Sequence, residues 1–353
     1  MLKAILFNDT SYNKHHGCQI VVRQIYALAS EAGIEIVKAC PMNHDWRRDA
    51  ELQQAIAEVD LCLVNGEGTL HDDARAAQML VELAPFCKAR KVSCFLINSV
   101  WQRNHKLLEA ARDFSGIYLR DHYSQRELAE AGVPSQVVPD LTLSLPIPPS
   151  SLTRYGILVN DSFYEDKTQE SWAAFSQLAD ERVHYLSIQA APVLQWGKGF
   201  PKFIWKSVRT SVQAWRARIV ARLTALPAQI HRKQIKLLRW KFCEPTAQRF
   251  LERLSASEGV ISGRFHCITL CLLTGTPFLA IGSNTHKIEA LVEACQLKNR
   301  VFAQYTEALA AREMIAFSAE ESMAIERFVR ASRAQAQAMF ADIQASVAGQ
   351  RIA

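Results

Sequence analysis

Acidic residues are missing from Arg182 to Cys243, a stretch that nonetheless carries thirteen lysines and arginines. The 353-residue chain also has no Cys-x-x-Cys pair and no unbroken apolar run of membrane-spanning length. The longest apolar stretch, residues 267 to 281, is broken by Gly275 and Pro277 and falls short of the roughly 20 residues that a transmembrane helix needs. The opening stretch, Met1 to Thr10, has too short an apolar core for a signal peptide and no small-residue cleavage site after it, so no export is expected. The nine cysteines are an odd number and mostly sit in apolar runs, which suggests reduced, packed thiols in a cytoplasmic protein. Cys267 and Cys271 lie four apart on an expected helix, but buried cysteine is common enough that packing is the better reading, and no metal is expected.

What is present is globular composition, 49% hydrophobic, over a length that favours two domains. Residues 2 to 8 read as a buried strand, followed by a polar loop with Gly17 and an amphipathic helix ending near Gly33. Alternation of strand and helix continues to residue 140, with one helix expected over residues 76 to 89, and this pattern predicts a parallel sheet covered on both faces. Prolines and serines crowd residues 143 to 156, which read as an interdomain linker. A second α/β pattern follows. The tail opens with a capping box, Ser318 and Glu321, and keeps helical apolar spacing to residue 347. The expected fold is therefore α/β, two Rossmann-like parallel-sheet domains facing across a cleft. Their bounds are residues 1–148 and 149–317, with a long C-terminal amphipathic helix over 318–353.

In such folds ligands sit at the carboxyl ends of strands. The first strand ends in Asn8 and Asp9, and its loop continues to His15, His16 and Gly17, more than capping requires. The third ends in Gly66-Glu67-Gly68, where Glu67 would enter the cleft as a base or hydroxyl-orienting group. No third glycine completes a dinucleotide fingerprint there. Asn98 and Trp101 follow the fourth strand and are types that bind and stack on sugars, while Arg120 after the fifth is an anion clamp or, equally, the neighbour of a capping Asp121. The sharpest signal is Ser262-Gly263-Arg264-Phe265-His266, where a strand gives way to an apolar helix. A helix N-terminus with Arg264 and His266 beside it is an anion site. The next strand exit repeats the device with Asn284, His286 and Lys287.

The segments SGRFH, TGTPFLAI and SNTHK, with GEGTL, YLRDHYSQREL and the Asn8-Asp9 loop, resemble the polysaccharide pyruvyltransferase family over nearly the whole chain. The resemblance implies a GT-B-type fold, phosphoenolpyruvate as donor with no further cofactor, and a pyruvate ketal on a sugar of a cell-surface glycan. It matches Arg264 and His266 to the donor-binding pair and Lys287 to the following cation. In the mechanism it suggests, His266 holds phosphate and donates a proton, and Glu67 or Asp9 is the base. Two departures fall on the acceptor side: Glu67 stands between glycines where many members have three, and His15-His16-Gly17 replaces the usual Gly-Asp. A GT-B glycosyltransferase using a nucleotide-activated sugar is the alternative, and a binding module without a reaction is a third.

The basic segment carries four tryptophans, at 196, 205, 215 and 240, and apolar residues at helical spacing from Ile204 to Leu226. This is the pattern of an in-plane helix on an anionic membrane. Residues 196–243 are therefore expected to place the protein on the inner face of the cytoplasmic membrane, with a glycan or lipid-linked oligosaccharide as acceptor. No nucleic-acid motif accompanies the charge, so no nucleic-acid partner is expected.

Overall fold

The computed structural model describes residues 1–147, 153–190, 215–216, 219–282 and 285–350. Two wholly parallel sheets organise them. The first has six strands in the order β2-β1-β3-β4-β5-β6: β1 (Leu2–Asp9), β2 (Ile34–Pro41), β3 (Leu61–Glu67), β4 (Ser93–Ser99), β5 (Gly116–Leu119) and β6 (Gln136–Val137). The second has five, β11-β10-β9-β7-β8: β7 (Ile157–Ser162), β8 (Val183–Tyr185), β9 (Gly259–Gly263), β10 (Phe278–Ile281) and β11 (Val301–Phe302). Apolar runs without alternation make these strands, because both faces are covered. In β3, Cys62 and Val64 join one core and Leu61 and Leu63 the opposite one. In β9 and β10, Val260 and Ala280 face one way and Ile261 and Leu279 the other.

Strand order reverses direction between β1 and β3 in the first sheet and between β7 and β9 in the second. At such switch points the flanking helices diverge to opposite faces and leave a crevice at the carboxyl ends. The two crevices face each other.

The C-terminal helix, Ala319–Gln350, ties the lobes together. Its capping box forms as expected, with Ser318 N–H donating to Glu321 and Glu321 N–H to Ser318 Oγ. Ile325 packs in the second lobe, whereas Met339, Phe340, Ile343 and Val347 pack beneath the first sheet.

Two expectations are corrected. Residues 76–89 form two helices, Arg75–Val81 and Leu83–Lys88, because Pro85 has no N–H for the carbonyl of Val81. The linker expected over residues 143–156 begins buried and partly regular: Leu143 and Leu145 join the second lobe's core, Leu141 just before it joins the first's, and residues 148–152 lie outside the described residues. This crossover peptide is a 3₁₀ turn, Leu141–Ser144, capped by the Asp140 side chain. Helices Glu165–Ser176 and Tyr305–Ala310 add to the expected elements.

Candidate active site

A cavity of about 340 Å³ opens where the two crevices meet. From the first lobe it is lined by Thr10, Asn13, Lys14 and His15 after β1, by Glu67, Gly68 and Thr69 after β3, and by Arg120 after β5. From the second come Phe163 after β7, Gly263 to His266 after β9, and Lys287. The strand-end rule thus finds the site from both sides.

The 3₁₀ and α-helical hydrogen bonds of helix Phe265–Thr274 start from Arg264, so its N-terminal dipole and first N–H groups face the cavity. Arg264 is held rigidly: its Nε and Nη2 donate to the two carboxylate oxygens of Asp161 at 3.1 and 2.8 Å. Arg239 Nε adds a third bond to Asp161, at 2.6 Å. Burial pushes the Asp161 carboxyl up, but the two guanidinium groups outweigh it and hold it below the usual carboxylate range. Arg120, also buried, donates from Nη1 to Asp140 at 2.8 Å and lies over the Phe265 ring at 4.7 Å. Its buried Nε has no hydrogen-bond partner among the described residues. Lys287 Nζ approaches Gly68 and Arg120 across the cleft; burial, then the charges of Arg120 and Arg264, lower its pKa to about 7.

In the first lobe Glu67 adopts a left-handed backbone, φ 44°, which costs a residue with a Cβ on the order of 1–3 kcal/mol and marks an over-determined position. Thr10 Oγ1 and Asn65 Nδ2 donate to its Oε1, and Cys18 Sγ lies 3.3 Å from its Oε2. Burial first, and the Glu67 charge second, push the Cys18 thiol up, so it stays protonated.

Some expected residues are elsewhere. Asn8 and Asn98 do not reach the cavity. Asn8 donates to the carbonyl of Asn65 and Asn98 to its side-chain oxygen, and Asn65 in turn donates to Glu67, so these asparagines form a buried ladder behind the carboxylate. Trp101 is fully buried in the first lobe's core and cannot stack on a sugar. Asp9 accepts from Ser11 N–H and is not part of the cavity wall. His16 is buried against the Phe250 ring, which lowers its pKa to about 4; His15 alone of the pair meets the cavity. Gly17 serves a different purpose from the one expected. A Cβ there would stand 2.2 Å from the Cβ of His266, so the absent side chain gives His266 its place. Ser262 accepts from Arg264 N–H and donates to Asn160, shaping the turn. His286 clasps Asp121 at 2.8 Å across the cleft. Asn284 lies outside the described residues.

Asp140, Asp161, Cys18 and Asn65 were missed. Asp140 ends the strand expected over residues 135–140 and Asp161 follows the one expected over 155–160, so the same strand-end rule that singled out Arg120 would have found both. His15, Cys18 and His266 offer ligand atoms within 4.8 Å of one another, a spacing suited to a metal ion. His15 Nδ1, however, accepts from Cys18 N–H, and Arg120, Arg264 and Lys287 oppose a dication. Burial first, then the charges of His266 and Arg264, push His15 well below the usual imidazole range.

Two lobes with parallel sheets, a cavity built from strand ends of both, and a helix returning to the first lobe define a GT-B-type fold. The family model for polysaccharide pyruvyl transferase matches residues 18–285, and the chain belongs to that family. No curated protein matches it in sequence. Similar solved structures include UDP-GlcNAc 2-epimerase from Neisseria meningitidis bound to UDP-GlcNAc, 12% identical over 94% of this chain and 99% of that one, with a TM-score of 0.48. MurG of Acinetobacter baumannii is 10% identical over 97% and 98%, TM-score 0.48. Sucrose-phosphate synthase from Thermosynechococcus elongatus is 13% identical over 100% and 98%, TM-score 0.46.

Proposed function

We propose that the protein transfers a pyruvyl group from phosphoenolpyruvate, as a ketal, to two hydroxyls of a glycan sugar. The observation that carries this reading is the convergence of Arg120, Arg264, Lys287 and His266 on one cavity between the lobes. Three cations match a small trianion, and the helix N-terminus at Arg264 adds N–H donors. The cavity suits a compact donor, with Arg264 and Lys287 on its phosphate and carboxylate and Arg120 bridging both.

In this mechanism protonated His266 gives its proton to the methylene carbon, which becomes the methyl group. One sugar hydroxyl bonds to the central carbon and loses its proton to Glu67. Phosphate then leaves with the C–O bonding pair and takes the proton from Glu67. The second hydroxyl bonds to the same carbon and returns a proton to His266, so the cycle closes without a further reactant. The acceptor enters from the Glu67 side, past Thr10 and Thr69. A lipid-linked oligosaccharide acceptor fits the basic segment, whose described part exposes Trp215, Ile219, Val220 and Leu223 beside Arg216 and Arg222.

Thermal-shift titration separates donors: phosphoenolpyruvate stabilises the protein, whereas a nucleoside diphosphate does so only if the transferred group is a sugar. His266→Ala lowers donor-dependent ketal formation, read by mass spectrometry of the glycan, by about 10²- to 10⁴-fold with the fold intact. A near-normal rate would remove His266 from the chemistry.

A further inference from the structure

We infer that Asp140, on the crossover peptide, is the positioning residue that joins Arg120 of one lobe and His266 of the other into a single donor site; this rests on the reading above. Its carboxylate is wholly buried and faces both groups. Oδ2 accepts from Arg120 Nη1 at 2.8 Å and lies 3.6 Å from His266 Nε2. The second distance is beyond a hydrogen bond, and Nε2 has no hydrogen-bond partner among the described residues. A contact this close to forming, between a buried carboxylate and a buried imidazole, tightens once the site fills.

Oδ1 is fixed independently. It accepts from Thr142 N–H at 3.0 Å and from Thr142 Oγ1 at 2.6 Å, and Thr269 Oγ1 lies 2.8 Å from the same Thr142 oxygen. Thr269 is one turn beyond His266 on the same helix, so Thr142 pins the crossover peptide to the His266 helix. Leu141 N–H donates to Asn98, the end of the ladder behind Glu67. One short peptide therefore touches the supports of the acid, of a donor cation and of the base.

The consequence concerns the imidazole's two nitrogens. With Nε2–H turned to Asp140, Nδ1 is the nitrogen that carries the transferable proton, and a carboxylate behind the ring stabilises the imidazolium that must exist before transfer. His266 is also faced by His15 and Cys18 from helix His16–Glu31 and its cap, by Arg264 from its own strand exit, and by Arg120 beside Asp140. Asp140 is the only carboxylate in direct reach of the ring among the described residues.

The test uses the full chain labelled with 15N at histidine rings, with His266→Gln identifying the signal. In the unaltered protein the neutral ring of His266 is protonated at Nε2, and in Asp140→Asn that preference is lost. Thr142→Val, which keeps the carboxylate and removes one of its anchors, gives a partial change and serves if Asp140→Asn fails to fold. In turnover, Asp140→Asn lowers kcat by roughly 10²-fold or more. Identical ring signals in parent and variants would overturn the positioning role whatever the substrate. If the ring responds but phosphoenolpyruvate is neither bound nor consumed by the parent protein, the donor assignment fails and the positioning role stands.

Discussion

Gly17 and His266 come from different lobes and occupy one small volume. Replacing Gly17 by alanine would normally favour a helix by roughly 0.5–1 kcal/mol, but overpacking of a filled site costs typically about 1–3 kcal/mol. With a Cβ 2.2 Å from that of His266 the steric cost wins. Gly17→Ala is expected to lower the melting temperature and to reduce turnover at least about tenfold by displacing the imidazole. Lys287 makes a second residue-scale prediction. Its pKa of about 7 means that it is charged below that pH and neutral above it. Affinity for an anionic donor, followed by calorimetric titration, should therefore fall as pH rises through 7. Lys287→Met removes that part of the dependence, leaving weaker and flatter binding. The sequence pointed to Lys287, Arg264 and His266 because cations at strand exits are conspicuous. It could not say that Trp101 and Asn98 turn inward, since either type is as often packed as exposed.

At the scale of elements, each lobe offers two adjacent residues to the cleft. Arg120 faces the cavity while its neighbour Asp121 reaches across to His286, whose own neighbour Lys287 faces the cavity in turn. Tyr123 donates to Glu293 one turn further along, at 2.7 Å. Asp121 also caps helix His122–Glu130 through Ser124 N–H. Burial raises its pKa, but the bonds from His286 and Ser124 outweigh that and hold it below the usual range. Asparagine caps a helix as well as aspartate does, so Asp121→Asn preserves the helix start and removes only the charge facing His286. We expect stability to fall by about 1–3 kcal/mol and donor affinity by about tenfold, from thermal unfolding and titration on the same samples. Helix Arg232–Lys241 shows how element and residue meet. It was expected to lie on a membrane, yet Ile235 and Leu238 pack in the second lobe's core and Arg239 locks Asp161 behind Arg264. Its apolar face is taken up by the fold.

For the whole molecule, the exposed apolar residues of the basic segment lie before that helix. Trp215 is 63% and Leu223 81% exposed, with Ile219 and Val220 between them, and residues 191–214, which hold Trp196 and Trp205, lie outside the described residues. No helix among the described residues is long and apolar enough to cross a membrane. Flotation with vesicles containing anionic lipid should carry the protein upward, and replacing Trp215 and Leu223 by serine should lower the bound fraction several-fold; rising salt should do the same.

Alternating strands and helices, the strand-end loops and the capping box were legible because each depends on local spacing and local chemistry. The sequence by itself determined two parallel sheets, the long helix after them, and the cations that line the cavity. Tertiary structure alone decided that His15 and not His16 meets the cavity, that Gly17 is empty for the sake of His266, and that Asp140 stands between Arg120 and His266. These are contacts between residues separated by up to 249 positions, from Gly17 to His266, and no periodicity or spacing encodes them. They arise only when two cores pack across a short crossover peptide, which sets which side chain of each loop points inward.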